Sequence, residues 1–207
     1  NHWQGCTGQR RGALTKRHNL VEKALTTSGR IANAHVIVQP RFPAAVARAS
    51  GSRSVPDLEI SWYDRRVLVD VSCVHVETNT AAHASSTQPL HAAKARERMK
   101  IRNYGALAAA EHAEFVPVVF ETHGAAGPAM NQLLIDLADL AEMTLCDTRN
   151  RFLAGARHAL AVALQVGNAI CMEDGMKRMI REGRIQVPAS RFSARQAAQP
   201  RLDSSQR

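Results

Sequence analysis

The strongest constraint on the fold of this chain is the stretch PDLEISWYDRRVLVDVSC, residues 56–73. It reads as two strands, LEISWY and RVLVDVSCVHV, about a turn containing Asp64-Arg65-Arg66. The second is as apolar as a buried strand, yet it carries Asp70. A carboxylate there is costly to desolvate unless it is hydrogen-bonded, paired or bound to a cation. Positions 57 and 70 are symmetric about the turn, so antiparallel pairing sets Asp57 and Asp70 opposite or one step off each other. Their Cβ atoms would then lie roughly 4.5–5.5 Å apart. Two carboxylates that close repel unless something positive lies between them. One or two carboxylates, with waters and phosphate oxygens, are how Mg²⁺ is held. Alternation puts Asp70 and Ser72 on one face, and Asp57, Glu59 and Ser61 likewise share a face. A single buried Asp would read as a turn cap or a loop anchor; the matched pair favours a divalent-metal site.

Around this hairpin the chain alternates helices and strands. Residues 1–14 read as a glycine-containing loop, and Thr15 is placed to cap a helix from Lys16 to about Thr27. AHVIVQPRF (34–42) reads as a strand ended by Pro40, and TNTAAHASSTQP as a polar loop. A charge-rich helix over about Leu90–Ala110, the strand FVPVVFET, and helices over about Ala129–Met143 and Thr148–Ala169 follow. A short basic amphipathic segment lies after Gly175, and residues 188–207 read as a disordered basic tail. The expected architecture is an α/β sandwich: a mixed central β-sheet flanked by helices (15–147) with a C-terminal helical extension (148–187).

With 207 residues and 45% apolar side chains the chain can bury a real core. No apolar run reaches the roughly 18–20 residues that span a bilayer, so no membrane role is expected. Its cysteines, at 6, 73, 146 and 171, form no CxxC pair, which favours a reducing compartment, and Cys73, Cys146 and Cys171 read as small core residues. A nuclear or intracellular, non-secreted protein is the expectation, and the initial Asn points to a piece of something longer. The net charge of +9 is unevenly spread. Residues 1–102 carry 16 Lys/Arg against 7 acids, 103–148 carry no Lys/Arg against 7 acids, and 149–207 carry 11 against 4. Two strongly basic zones are what polyanion binding requires, although solvated surface charge would give the same count.

In order along the chain stand RHN (17–19), VIVQPRF (36–42), PDLEI (56–60), VLVDVSCVHV (67–76), ERMKIRNY (97–104) and FVPVVFETHGAAGP (115–128), with LAVALQVGNA at 160–169. Together they resemble the PD-(D/E)XK restriction-endonuclease-like domain of non-long-terminal-repeat retrotransposon polyproteins, carried beyond the reverse transcriptase. The resemblance covers roughly residues 15–170. It implies a restriction-endonuclease-like fold and Mg²⁺ (or Mn²⁺) held by Asp57, Asp70 and the Val71 carbonyl, with Glu22 an accessory ligand. A lysine commonly stands two residues after the second acid; here that place is taken by Ser72. The retrotransposon group moves the basic residue to the next helix. There Glu97, Lys100 and Tyr104 recur at i, i+3 and i+7 on one helical face. Lys100 matches the lysine of the family's E-x-x-K-x-x-x-Y pattern and takes the relocated role, with Lys94 the runner-up. Lys94, Arg96, Arg98 and Arg102 otherwise read as a solvated face that touches phosphates nonspecifically.

Arg17 and His18 match the family's Arg-His pair, where a cation would hold a DNA phosphate or orient an acid. A zinc knuckle precedes that pair in the family, and His2 and Cys6 resemble its trailing half; two ligands do not make a zinc site. Gly124 and Gly127 read as a tight turn. The resemblance implies a Mg²⁺-dependent endonuclease that nicks target DNA and leaves a 3′-hydroxyl primer. DNA, the element RNA and the reverse transcriptase domain are its implied partners. The alternative is a catalytically inactive nucleic-acid-binding relic of the same fold, and a third is a cellular repair or junction-cleaving nuclease. The Arg-His-Asn and Glu-x-x-Lys-x-x-x-Tyr signatures argue against the third.

Overall fold

The computed structural model describes residues 11–43, 55–76, 82–145 and 148–184. The elements are α1 (Arg11–Ile31), β1 (His35–Val38), β2 (Leu58–Trp62), β3 (Arg65–Val74), α2 (Ala82–Thr87), α3 (His91–Ala110), β4 (Glu114–Glu121), α4 (Pro128–Leu145) and α5 (Arg149–Arg181). The four strands form one sheet in the order β1-β2-β3-β4, the first three antiparallel and β3-β4 parallel. The chain is therefore α/β with a mixed sheet between helices. No described helix is long and apolar enough to cross a membrane.

The hairpin turns through Tyr63 and Asp64, with Tyr63 at φ 49° in place of the glycine such a two-residue turn favours. Arg65 and Arg66, expected in the turn, belong to β3. Arg66 forks onto Glu59 and Glu111, and Arg65 onto Glu114 and Asp136, so the hairpin is tied to α3, β4 and α4. The register pairs Leu58 with Val69, so continuing it by one step sets Asp57 opposite Asp70.

Strand alternation divides β3 between two cores. Val67, Val69 and Val71 join the main core with Val21 and Leu25 of α1, Leu134 of α4, and Leu160 and Leu164 of α5. Leu68 packs instead with Tyr104, Leu107 and Ala108 of α3. Asp70 and Ser72 follow Leu68 on that second face and are 4% and 6% exposed. Burying a leucine such as Leu25 or Leu160 contributes about 1.5–3 kcal/mol relative to exposure.

Several sequence expectations are corrected. The first helix starts at Arg11 rather than Lys16, so residues 11–14 are helical, not loop. Residues 82–87, expected within a polar loop, make the short helix α2. The expected break near Ala169 is absent: α5 runs unbroken from Arg149 to Arg181, through Gly167 and Gly175. Both glycines are buried, where α5 packs against neighbours instead of facing water. Phe152, Leu153, Ala156, Leu160 and Leu164 of α5 lie in the main core, so the helical extension shares one core with residues 15–147. His2, Cys6, Cys146 and the tail at 188–207 lie outside the described residues.

Candidate active site

The hairpin, the amino-terminal half of α1 and the middle of α3 converge on a cavity of about 320 Å³. Arg17, His18, Asp70, Ser72, Arg96 and Lys100 are among its lining residues. Lys100 Nζ lies 2.5 Å from Asp70 Oδ2. The Tyr104 hydroxyl donates to Asp70 Oδ1 at 2.6 Å. Tyr104 is itself fixed by stacking on Phe115, 4.9 Å between centroids, and it carries the Lys100 ammonium 5.6 Å from its ring centre. Asp70 thus meets the two conditions that make a buried carboxylate tolerable, a counter-charge and a hydrogen-bond donor.

Asp57 is held otherwise. Its Oδ2 accepts the Val71 N–H at 2.7 Å, and its Oδ1 lies 3.2 Å from His18 Nε2. His18 is also 3.5 Å from Glu22 Oε2, one turn along α1. His18, Glu22 and Asp57 offer one ligand atom each, all within 4.8 Å of one another. Protonated, His18 bridges the two carboxylates; neutral with its proton on Nδ1, its Nε2 lone pair would join their oxygens as a third ligand to a cation. The Asp57 hydrogen bond raises the His18 pKa above its usual 6.5, against the lowering effect of burial, and the charges of Asp57 and Glu22 raise it further. Burial raises the Glu22 pKa, and the neighbouring Asp57 adds to it.

The expected ligands differ in their immediate neighbours. Asp57 and Glu22 gather with His18, expected only to hold a phosphate or orient an acid, whereas Asp70 is engaged by Lys100 and Tyr104. An oxygen-rich set with one imidazole fits Mg²⁺ and suits Mn²⁺ better. Val71 is buried and lines the cavity beside Asp70 and Ser72.

Glu97 does not join the site. Its Oε1 accepts the Ala129 N–H at 3.2 Å, at the start of α4, and burial raises its pKa. A Cβ on Gly127 would stand 2.2 Å from that oxygen, so a larger residue there would displace the Glu97 carboxylate. Gly124, at φ 109°, makes the turn itself. Glu121 accepts the Ala93 N–H at 3.2 Å. The two glutamates thus tie α3 to the start of α4 and to the end of β4.

Lys94 is exposed and lines a separate depression with His91 and Arg98. Arg98 and Arg102 are exposed, but Arg96 is half-buried and lines the Asp70 cavity, unlike the solvated residue expected. Asn168 of α5, whose Oδ1 accepts from Arg17 at 3.1 Å, carried no sequence signal beyond its place in LAVALQVGNA. Burial raises the Cys73 thiol pKa while the Arg17 guanidinium, hydrogen-bonded to it, works the other way. Comparison with known protein families and with curated proteins gave no match.

Proposed function

We propose that this chain is a divalent-metal-dependent DNA endonuclease domain with a restriction-endonuclease-like fold. As the sequence resemblance implies, it nicks target DNA to leave a 3′-hydroxyl that primes retrotransposon reverse transcription. Its partners on this reading are DNA, the element RNA and the reverse transcriptase domain. The observation that carries it is the Lys100–Asp70 contact of 2.5 Å, made between a helix and the face of a strand, in a cavity that also holds Arg17 and Ser72. A lysine is thus set beside the second acid from a different element, with Ser72 leaving its side of the strand open.

Phosphodiester hydrolysis here means attack of a water oxygen on phosphorus and rupture of the P–O3′ bond, with the departing oxygen taking a proton. Asp57 and Glu22, with His18, would hold the ion; the resemblance adds Asp70 and the Val71 carbonyl. Such an ion, when bound, supplies Lewis acidity at the phosphate and acidifies a water. Arg17, Arg96 and Lys100 place positive charge around the cavity where the phosphate's charge grows. Lys100, held beside Asp70, is the group positioned to orient the attacking water.

Supercoiled plasmid incubated with Mg²⁺ or Mn²⁺ tests the reading. Nicking is expected, lost in EDTA and in Asp70→Ala, and reduced by about 10²-fold or more in Lys100→Ala. DNA binding without nicking, equal in wild type and Asp70→Ala, would replace the enzyme with an inactive nucleic-acid-binding relic.

A further inference from the structure

Asn168 is 2% exposed and sits within α5, where a buried amide requires partners. It has them on α1, on the segment after β4 and within α5 itself. Its Oδ1 accepts from Arg17 Nη1 of α1 at 3.1 Å; its Nδ2 donates to the Thr122 carbonyl, just past β4, at 2.8 Å. A longer contact, 3.4 Å, reaches Gln165 Oε1 in the same helix.

The neighbouring Gly167 makes this reach feasible. A Cβ there would lie 2.8 Å from Arg17 Cα and 2.5 Å from its Cγ. Only a glycine lets the α1 backbone come this near α5. Arg17 is 5% exposed and lines the cavity that also holds Asp70 and Lys100. A guanidinium offers five N–H donors in a rigid fork, so engaging one of them sets the plane of the rest. The chemistry of the acceptor matters as well. A carboxylate at 168 would orient Arg17 and cancel its charge; an amide orients it and leaves the charge whole.

We propose that Asn168 is a positioning residue that holds the Arg17 guanidinium, fully charged, at the cavity wall to receive a nucleic-acid phosphate. The proposal rests on the nuclease reading for the identity of that ligand, and it makes α5 part of the site.

A double-mutant cycle on the full chain tests it: wild type, Arg17→Gln, Asn168→Ala and the pair. The cycle is read as kcat/KM for plasmid nicking and as the salt dependence of binding to a DNA duplex. Each single variant is expected to lose roughly ten- to a hundredfold in kcat/KM. The pair should lose no more than Arg17→Gln alone, because Asn168 acts through Arg17. Asn168→Asp gives up the donor to the Thr122 carbonyl and should lower the melting temperature, and it should lower the salt slope by about 1, as Arg17→Gln does. If Asn168→Ala does not fold, Asn168→Ser, which keeps a small polar group at the site, takes its place in the cycle. Losses that multiply in the pair, or Arg17→Gln nicking and binding as wild type, overturn the proposal while leaving the nuclease reading intact. A wild type that binds without nicking overturns the nuclease reading instead, and the cycle is then decided on DNA affinity by the same criterion. A wild type that neither binds nor nicks removes both.

Discussion

Replacing Lys100 with methionine keeps most of the side chain's packing and removes its charge, leaving Asp70 with Tyr104 as its one polar partner among the contacts described above. Asp70 is 6% exposed in its side chain and Lys100 18%, so the pair is largely withdrawn from water. Breaking a fully buried pair costs about 3–5 kcal/mol, since a bare charge is left behind. The cavity admits some solvent to Lys100, which lowers the expected loss to about 2–3 kcal/mol. For a chain of this size that corresponds to a fall of roughly 5–10 °C in melting temperature. Asp70→Asn/Lys100→Met should recover most of it, because an amide costs far less to bury than a lone carboxylate. Urea denaturation of wild type, both single variants and the pair gives the coupling directly. A coupling under about 0.5 kcal/mol would show that the two groups do not share a buried ion pair, and the placement of Lys100 at the site would fail with it.

The close approach of α1 and α5 makes a second prediction. Gly167→Ala puts a methyl against the Arg17 backbone at 2.8 Å and should destabilise by about 1–3 kcal/mol, measured by denaturation; an unchanged midpoint would mean the helices are not in contact there. A third concerns pH in EDTA. Because the His18 pKa is raised in the folded chain by its Asp57 hydrogen bond, its stabilisation is whole below pH 6.5 and is lost as pH climbs through the raised value. Wild type should lose stability over that interval relative to His18→Gln, and parallel stability curves for the two would refute the pairing.

The hairpin was legible because its information is local. Two apolar runs about a short turn define a register, and the register alone sets position 57 opposite position 70. The i+3 and i+4 spacings that bring Lys100 and Tyr104 to one side of α3 are local too, and both side chains reach Asp70. Glu97 lies on that same side, yet it is about 10 Å along the axis from Tyr104, and there the helix passes the start of α4 instead of the strand. Periodicity gives a side chain's bearing around a helix, not which neighbour stands at that height.

The same limit applies to the candidate metal ligands. Spacing could pair Asp57 with Asp70, but only the packing of α1 across the hairpin brings His18 and Glu22 to Asp57 and leaves Asp70 to Lys100. Arg17 and Asn168, 151 positions apart, meet because Gly167 lets two helices close on each other. Local sequence determined the strands, the turn and the faces that carry charge. The partners of the charges at the candidate site were decided by helix packing, since a contact between distant segments depends on every side chain that sets their separation.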